Sequence, residues 1–400
     1  MGATANFLDQ AAWGGAGGEI DEELARCSRC GRCQSVCPVY LLSGEERLVA
    51  RGKLALIQAA RQGGLEPSAA FVDTISRCLL CGACRSFCAR AVPTPELIQQ
   101  VRAASARALG LPRYYSLLFA GLASPRLLSV ASRAGHWLQG LAAALPGAPL
   151  SLLPWVGRYA ASLRLAARPF LSQALPQGPR PGAVGLFVGC GANYLYPEAA
   201  RAALGLLEAA GIAVVVPAGQ ICCGLPAASA GDAASAEELA GRNLAAFQGL
   251  EGVVVLCASC AWRLRAIEGL PRVYSLAELL PQALASAPAK LLRVAYHAPC
   301  HVRFDGPGQR PLLRLLSELP GVEMLPVEEA CCGSGGLFSL SQPELSQAIL
   351  RERLRGLLAL RPDVVATDCT GCLIQLAAGL QAAGRSIPVV HPAQLLAGQT

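Results

Sequence analysis

The sequence predicts an α/β protein that carries an all-α module at its N-terminal end. Three observations lead there. Two cysteine-rich runs near the start are joined by stretches of helical periodicity with no strand pattern. From Val184 onward, short β-branched runs alternate with helical ones, the order that builds a parallel sheet. That second pattern then occurs again about 110 residues later. A repeat of this kind is a tandem duplication, so two copies are expected to pack about a pseudo-two-fold axis.

The first run reads Cys27-Ser-Arg-Cys30-Gly-Arg-Cys33-Gln-Ser-Val-Cys37-Pro38, and the second Cys78-Leu-Leu-Cys81-Gly-Ala-Cys84-Arg-Ser-Phe-Cys88. Two C-x2-C-x2-C-x3-C runs are the spacing that holds a pair of [4Fe–4S] clusters. Three thiolates two residues apart turn inward around one cube, and the fourth reaches the other cube. This assigns Cys27, Cys30, Cys33 and Cys88 to one cluster, and Cys78, Cys81, Cys84 and Cys37 to the second. Disulfides are the first competing reading, and zinc is the other. The first needs an oxidising compartment, which no signal-peptide pattern at Met1–Gly18 supports. Zinc uses paired C-x2-C units and leaves the third and fourth cysteine of each run surplus. Pro38 follows the first run but Ala89 follows the second, so the turn that aims Cys88 lacks its proline.

Composition narrows the remaining classes. Hydrophobic residues make up 53%, charged residues 15% and aromatics 5%, with a net charge of +7. Arginine carries the positive balance, since Lys53 and Lys290 are the only lysines. The arginines are scattered rather than striped, which argues against a nucleic-acid partner. Arg26, Arg29, Arg32, Arg77, Arg85 and Arg90 cluster by the cysteine runs, either offsetting the charge of reduced clusters or forming a solvated surface. Eighteen cysteines without a secretion signal point to metal or redox chemistry in a cytoplasmic, reducing setting.

In chain order, residues 1–20 read as a loose tail. A helical module of the two-cluster ferredoxin kind spans 21–109. A short helix from Asp21 delivers Cys27. Glu45–Arg61 places Leu48, Val49, Gly52, Leu56 and Ala60 on one face, Ser68–Ser76 presents Phe71, Val72 and Ile75, and a last helix runs from Pro95 to Ala108. Residues 110–180 form a connector broken by Pro112, Pro125, Pro146, Pro149, Pro154 and Pro169. A membrane span wants about 20 unbroken apolar residues, so spanning is rejected. Docking on the rest of the protein or a partner subunit is favoured over a peripheral membrane-surface patch.

The copies span 181–288 and 289–400. In the first, strand Val184–Val188 leads to Cys190, helix Pro197–Ala210 to strand Ile212–Val216, and then come Cys222-Cys223-Gly224. Helix Ala233–Gln248 and strand Val253–Leu256 precede Cys257-Ala-Ser-Cys260. In the second, Val294–Tyr296 leads to Cys300, helix Pro311–Leu319 to strand Val322–Val327, then Cys331-Cys332-Gly333, Val364–Ala366 and Cys369-Thr-Gly-Cys372. The tails also agree: Val273–Leu280 resembles Val389–Leu396. Cysteines that follow strands or open helices gather at one sheet end. Gly224 and Gly333 are expected at positive φ. Five such cysteines can hold an iron–sulfur cluster, act as a redox dithiol, or be buried apolar residues; a cluster in each copy is the leading expectation. Gly189-Cys-Gly191 lacks the third glycine of a dinucleotide fingerprint. His297 and His301 flank Cys300 and read as structural or cluster-tuning donors rather than ligands.

These motifs together resemble the family of the glycolate oxidase iron–sulfur subunit, related to subunits of heterodisulfide reductase and anaerobic glycerol-3-phosphate dehydrogenase. Arg51-Gly52-Lys53, Arg77-Cys78-Leu79, Tyr296-His-Ala-Pro-Cys300-His301, Cys331-Cys-Gly-Ser-Gly-Gly336 and Phe338-Ser-Leu-Ser-Gln-Pro-Glu344 carry the likeness, which runs from about Cys27 to Leu396. The resemblance implies an α-helical ferredoxin domain followed by two duplicated CCG cysteine-rich domains. It also implies an electron-transfer subunit. An FAD-containing 2-hydroxy-acid dehydrogenase subunit, acting on glycolate or lactate, would pass electrons through this chain to a quinone or another carrier. The alternative is a heterodisulfide-reductase-like subunit whose CCG-bound cluster reduces a disulfide.

Overall fold

The computed structural model describes residues 17–65, 68–144, 159, 163–173, 175–178, 181–281, 291–305 and 310–399. Most of the expected tail and part of the expected connector lie outside these residues. The chain forms two compact units. One comprises Met1–Leu117, Pro226–Ala236 and Gly333–Ile349, and the other Leu118–Leu225, Glu237–Cys332 and Leu350–Thr400.

The first unit is helical among its described residues. Helix Gly17–Ala25 leads to Cys27 and is tied to helix Ala50–Arg61 by Arg61, whose guanidinium donates to both carboxylate oxygens of Asp21 at 2.7 Å. Helix Ala69–Ser76 is capped by Ser68, whose Oγ accepts from the Phe71 amide at 3.3 Å. Helix Thr94–Leu109 adds Leu97, Ile98, Val101 and Ala104 to a core with Leu54, Ile57, Phe71 and Ile75. Each such Leu, Ile or Phe contributes about 1.5–3 kcal/mol by leaving water. The buried face of Ala50–Arg61 carries Lys53, Leu54, Ile57 and Ala60 rather than Gly52 and Leu56. The reason is local: residues 46–48 form a separate 3-10 turn, and the helix begins only at Ala50. Arg102 donates to the carbonyls of Ile75, Ser76, Cys78 and Ser229, so one buried guanidinium ties the entry of the second cysteine run to segment 226–236. Gln342 does the same for segment 333–349, reaching the Ser76 hydroxyl at 3.2 Å.

The second unit holds two four-stranded, wholly parallel sheets. Strands β1 (Val184–Phe187), β2 (Val214–Val215), β3 (Gly252–Val255) and β4 (Arg272–Ser275) take the order β2-β1-β3-β4. Strands β5 (Leu292–Tyr296), β6 (Val322–Met324), β7 (Val364–Ala366) and β8 (Val389–Val390) repeat it as β6-β5-β7-β8. The α/β class, the helical N-terminal module and the duplication stand as expected. The expected strands at 212–216 and 322–327 shorten to two and three residues. The matching tails turn out to begin with the edge strands β4 and β8. Their half-exposed residues give no continuous apolar run to read.

One core serves both copies: Leu186, Ala200, Leu207 and Val254 pack in the same cluster as Val294, Tyr296, Leu316 and Leu396. Direct bonds join them as well. The Ala258 amide donates to the Asp368 carbonyl at 2.8 Å, and His391 Nε2 meets the Leu256 carbonyl at 2.7 Å. Gly191 permits this approach, since a Cβ there would lie 2.3 Å from Thr370 Oγ1. Gly191→Ala should therefore cost about 1–3 kcal/mol by overpacking, although alanine is the better helix former by about 1 kcal/mol. A thermal melt that stayed put or rose would contradict the close contact.

Candidate metal centres

Both cysteine runs fold with the same backbone. Arg29 and Gly31 in the first run, at φ 55° and 85°, match Leu80 and Gly82 in the second, at φ 54° and 80°. Left-handed residues thus flank Cys30 and Cys81. For Arg29 and Leu80 that conformation costs about 1–3 kcal/mol and needs a compensating reason. It coils three successive cysteines around one point, after which a short helical turn (Arg32–Val36 or Ala83–Ser86) carries the chain to the fourth.

The fourth cysteines cross over. One cavity is lined by Cys27, Cys30, Cys33 and Cys88, with Cys84. A second is lined by Cys78, Cys81, Cys84 and Cys37. All eighteen cysteines are free thiols. Cys88 is aimed without a following proline: the Ala91 amide bonds its carbonyl at 2.9 Å, and Arg26 donates to the Arg90 carbonyl at 2.8 Å. Burial pushes the Cys84 thiol up to about 12 and raises those of Cys33 and Cys37. A bound metal displaces such protons, and the fit to an iron–sulfur group rests on the thiol donors that line each cavity.

Cations line both cavities: Arg29 and Arg32 of the arginine cluster with Arg51 at the first, and Arg77 of that cluster with Lys53 at the second. Arg26, Arg77 and Arg85 are engaged by Glu23 at 2.7 Å, Asp73 at 2.8 Å and Glu96 at 2.5 Å. Arg51 lines the first cavity, paired with Glu46 and bonded to the Arg29 carbonyl at 3.1 Å. Lys53 lines the second at 1% exposure, its Nζ donating to the Leu48 carbonyl. Burial lowers its pKa, while Cys78 and Cys37 favour its charge. The available signal was its rarity: it is one of two lysines, set in an apolar helix beside the first run.

The ten remaining cysteines gather at the carboxyl ends of the two sheets, beside the β1/β3 and β5/β7 switch points. Gly224 and Gly333 adopt φ 83° and 82°, as their place after paired cysteines demands. Thiol contacts form an unbroken line. It starts at Cys190 and Cys222, 4.0 Å apart, and passes through Cys223, Cys260 and Cys257. It crosses between copies from Cys257 to Cys369, then runs to Cys372, to Cys332 at 3.1 Å, and to Cys331. Burial pushes Cys300, beside Cys332, up to about 12. The two copies' thiols are thus adjacent rather than separate. The spacing alone did not reveal that Cys257 and Cys369 meet across the axis.

The histidines divide. His301 stacks on Trp262 with centroids 4.8 Å apart, and its Nδ1 bonds the Ser259 hydroxyl at 3.0 Å. His391 caps helix Pro392–Leu396. His297, by contrast, directly follows β5, with its imidazole among Cys332 and Cys372 and all three ligand atoms within 4.8 Å of one another. Burial holds it toward the neutral form.

The sequence matches two family models: a 4Fe-4S dicluster domain over residues 23–92 and a cysteine-rich domain over 184–265 and 294–377. The probable glycolate oxidase iron–sulfur subunit of Bacillus subtilis is 28% identical, over 94% of both chains. One of the subunits of the fumarate reductase (CoM/CoB) of Methanothermobacter marburgensis is 27% identical over 91% of this chain and 69% of that one. Lactate utilization protein A of Halalkalibacterium halodurans is 32% identical over 53% of this chain and 96% of its own length. A hypothetical protein from Helicobacter pylori shares the fold at a TM-score of 0.51 and 10% identity, covering 96% of this chain and 73% of that one. With a dicluster module, a duplicated cysteine-rich domain and relatives of this kind along its length, the chain belongs to the iron–sulfur subunit family that includes the glycolate oxidase subunit and lactate utilization protein A.

Proposed function

We propose that this chain is the electron-transfer subunit of a flavin-dependent 2-hydroxy-acid dehydrogenase. Cys27, Cys30, Cys33 and Cys88 hold one [4Fe–4S] cluster, and Cys78, Cys81, Cys84 and Cys37 the other. Each cysteine-rich copy holds a further cluster, through Cys190, Cys222, Cys223, Cys257 and Cys260 and through Cys300, Cys331, Cys332, Cys369 and Cys372. When bound, such clusters supply one-electron carriers. The single observation that carries the reading is the crossing of Cys37 and Cys88 between two thiol-lined cavities. The sequence lacks a dinucleotide fingerprint at Gly189–Gly191, so substrate oxidation is assigned to an FAD-containing partner. The test is reconstitution. Dye reduction driven by glycolate or lactate should require both the flavoprotein and this chain. Undiminished turnover without this chain contradicts the proposal, and turnover of a disulfide substrate by this chain alone favours the heterodisulfide-type reading.

Delivery to a membrane quinone draws support from charge. No acidic residue occurs between Glu96 and Glu198. Helix Pro125–Ala144 exposes Leu127, Val130, Trp137, Leu138 and Leu141 along one strip, Trp137 at 68%. An arginine-bearing helix with such a strip suits an anionic bilayer surface. No helix among the described residues is long and apolar enough to cross a membrane. The full chain should float with vesicles containing phosphatidylserine, with Trp137→Glu lowering binding at least tenfold. Equal flotation with neutral vesicles, or none with either, would count against a membrane face.

A further inference from the structure

The two cysteine-rich copies are not chemically equivalent. Aligned through Cys190 and Cys300, Phe187 in the first copy occupies the place of His297 in the second. Phe187 packs against Phe247 with ring centroids 5.9 Å apart and offers no donor. His297 is 1% exposed, and its Nδ1 has no hydrogen-bond partner. A buried imidazole nitrogen left unpaired costs about 1–3 kcal/mol, and the hydrogen bond that the ring does make goes to the Cys332 thiol. The ring is fixed by its backbone, since the His297 amide donates to the Ala366 carbonyl at 2.8 Å and locks the end of β5 to β7. Its ligand atom lies within 4.8 Å of the sulfurs of Cys332 and Cys372, which are themselves 3.1 Å apart. The other three histidines bond groups other than a cysteine: His136 the Leu165 carbonyl, His301 the Ser259 hydroxyl and His391 the Leu256 carbonyl.

We infer that His297 is a nitrogen ligand to the iron–sulfur group of the second cysteine-rich copy, alongside Cys332 and Cys372, whereas the first copy's group is held by thiolates alone. The inference rests on the proposal that each copy binds a cluster. A cubane offers four ligand sites to the five thiolates of each copy, so His297 takes one that a thiolate fills in the first copy, and the negative charge around the iron falls. Imidazole ligation raises reduction potential, as it does where histidine replaces cysteine in Rieske centres. The second copy is therefore the more easily reduced of two adjacent sites, and electrons shared between them settle there. The order follows from a single residue difference between two otherwise matched cysteine sets.

The test uses the full chain, prepared anaerobically with 15N-labelled histidine and examined by pulsed EPR in oxidised and reduced forms. One cluster signal should show a strong histidine nitrogen coupling. That coupling should vanish in His297→Phe, which copies the first domain, and survive in His301→Gln. His297→Cys should retain the wild-type iron content while the potential of that one signal shifts negative. A second copy that holds iron, with Cys332→Ala removing it, but shows no histidine coupling overturns the ligation and leaves the cluster proposal standing. Iron content unchanged by Cys332→Ala, or zinc found in place of iron, overturns both.

Discussion

Cys37→Ala and Cys78→Ala should abolish the same EPR signal, while Cys88→Ala and Cys27→Ala abolish the other. Each substitution should remove about four irons. The pairing is the informative part, because Cys37 lies in the same run as Cys27 and far in sequence from Cys78. It follows from the two cavities: Cys37 lines the one formed by Cys78, Cys81 and Cys84, and Cys88 the one formed by Cys27, Cys30 and Cys33. Left-handed residues on both sides of Cys30 and Cys81 turn three thiols to one point and leave the fourth projecting away. Should Cys37→Ala instead share its lost signal with Cys27→Ala, the crossing is wrong. Iron analysis of the four single variants, with spectra of each, is sufficient.

Lys53→Met should make the cluster held by Cys78, Cys81, Cys84 and Cys37 harder to reduce and leave the other cluster where it was. A cation beside a redox centre favours its more negative state. At an effective dielectric of about 20, a unit charge about 7 Å away is worth about 2 kcal/mol, or about 100 mV for a one-electron couple. Lys53 is buried in that cavity and bonded to the Leu48 carbonyl, so solvent screens it little. Methionine keeps the length of the side chain and removes the charge. Potentiometric titration of both signals reads the result. An unshifted potential would show that the ammonium serves only to hold Leu48, and equal shifts in both clusters would point to a general structural change.

Much of this is legible in the sequence, for identifiable reasons. Cysteine spacing encodes ligand geometry directly, so the gathering of Cys27, Cys30 and Cys33 on one side and Cys78, Cys81 and Cys84 on the other can be read from the chain. The duplication shows because five cysteines and two Cys-Cys-Gly triplets stay in step. Buried strands β1 and β3 announce themselves as apolar runs, whereas β4 and β8, half exposed at sheet edges, do not. What stays hidden depends on tertiary contact. Nothing local says that Cys257 meets Cys369, that Gly191 clears Thr370, or that Lys53 faces inward while Arg26, Arg77 and Arg85 are held by carboxylates. His297 stands out in the sequence only for its position beside Cys300. Its proximity to Cys332 and Cys372 arises only when the loops after β5, β6 and β7 converge.

The measurement that tests the central claim most directly is Mössbauer spectroscopy, with iron and inorganic sulfide analysis, on the anaerobically purified wild-type chain. About eight irons in two cubane [4Fe–4S] clusters are expected from the N-terminal module, together with further iron in the cysteine-rich copies. Iron well below eight per chain, or zinc or disulfides at the eight N-terminal cysteines, would contradict it.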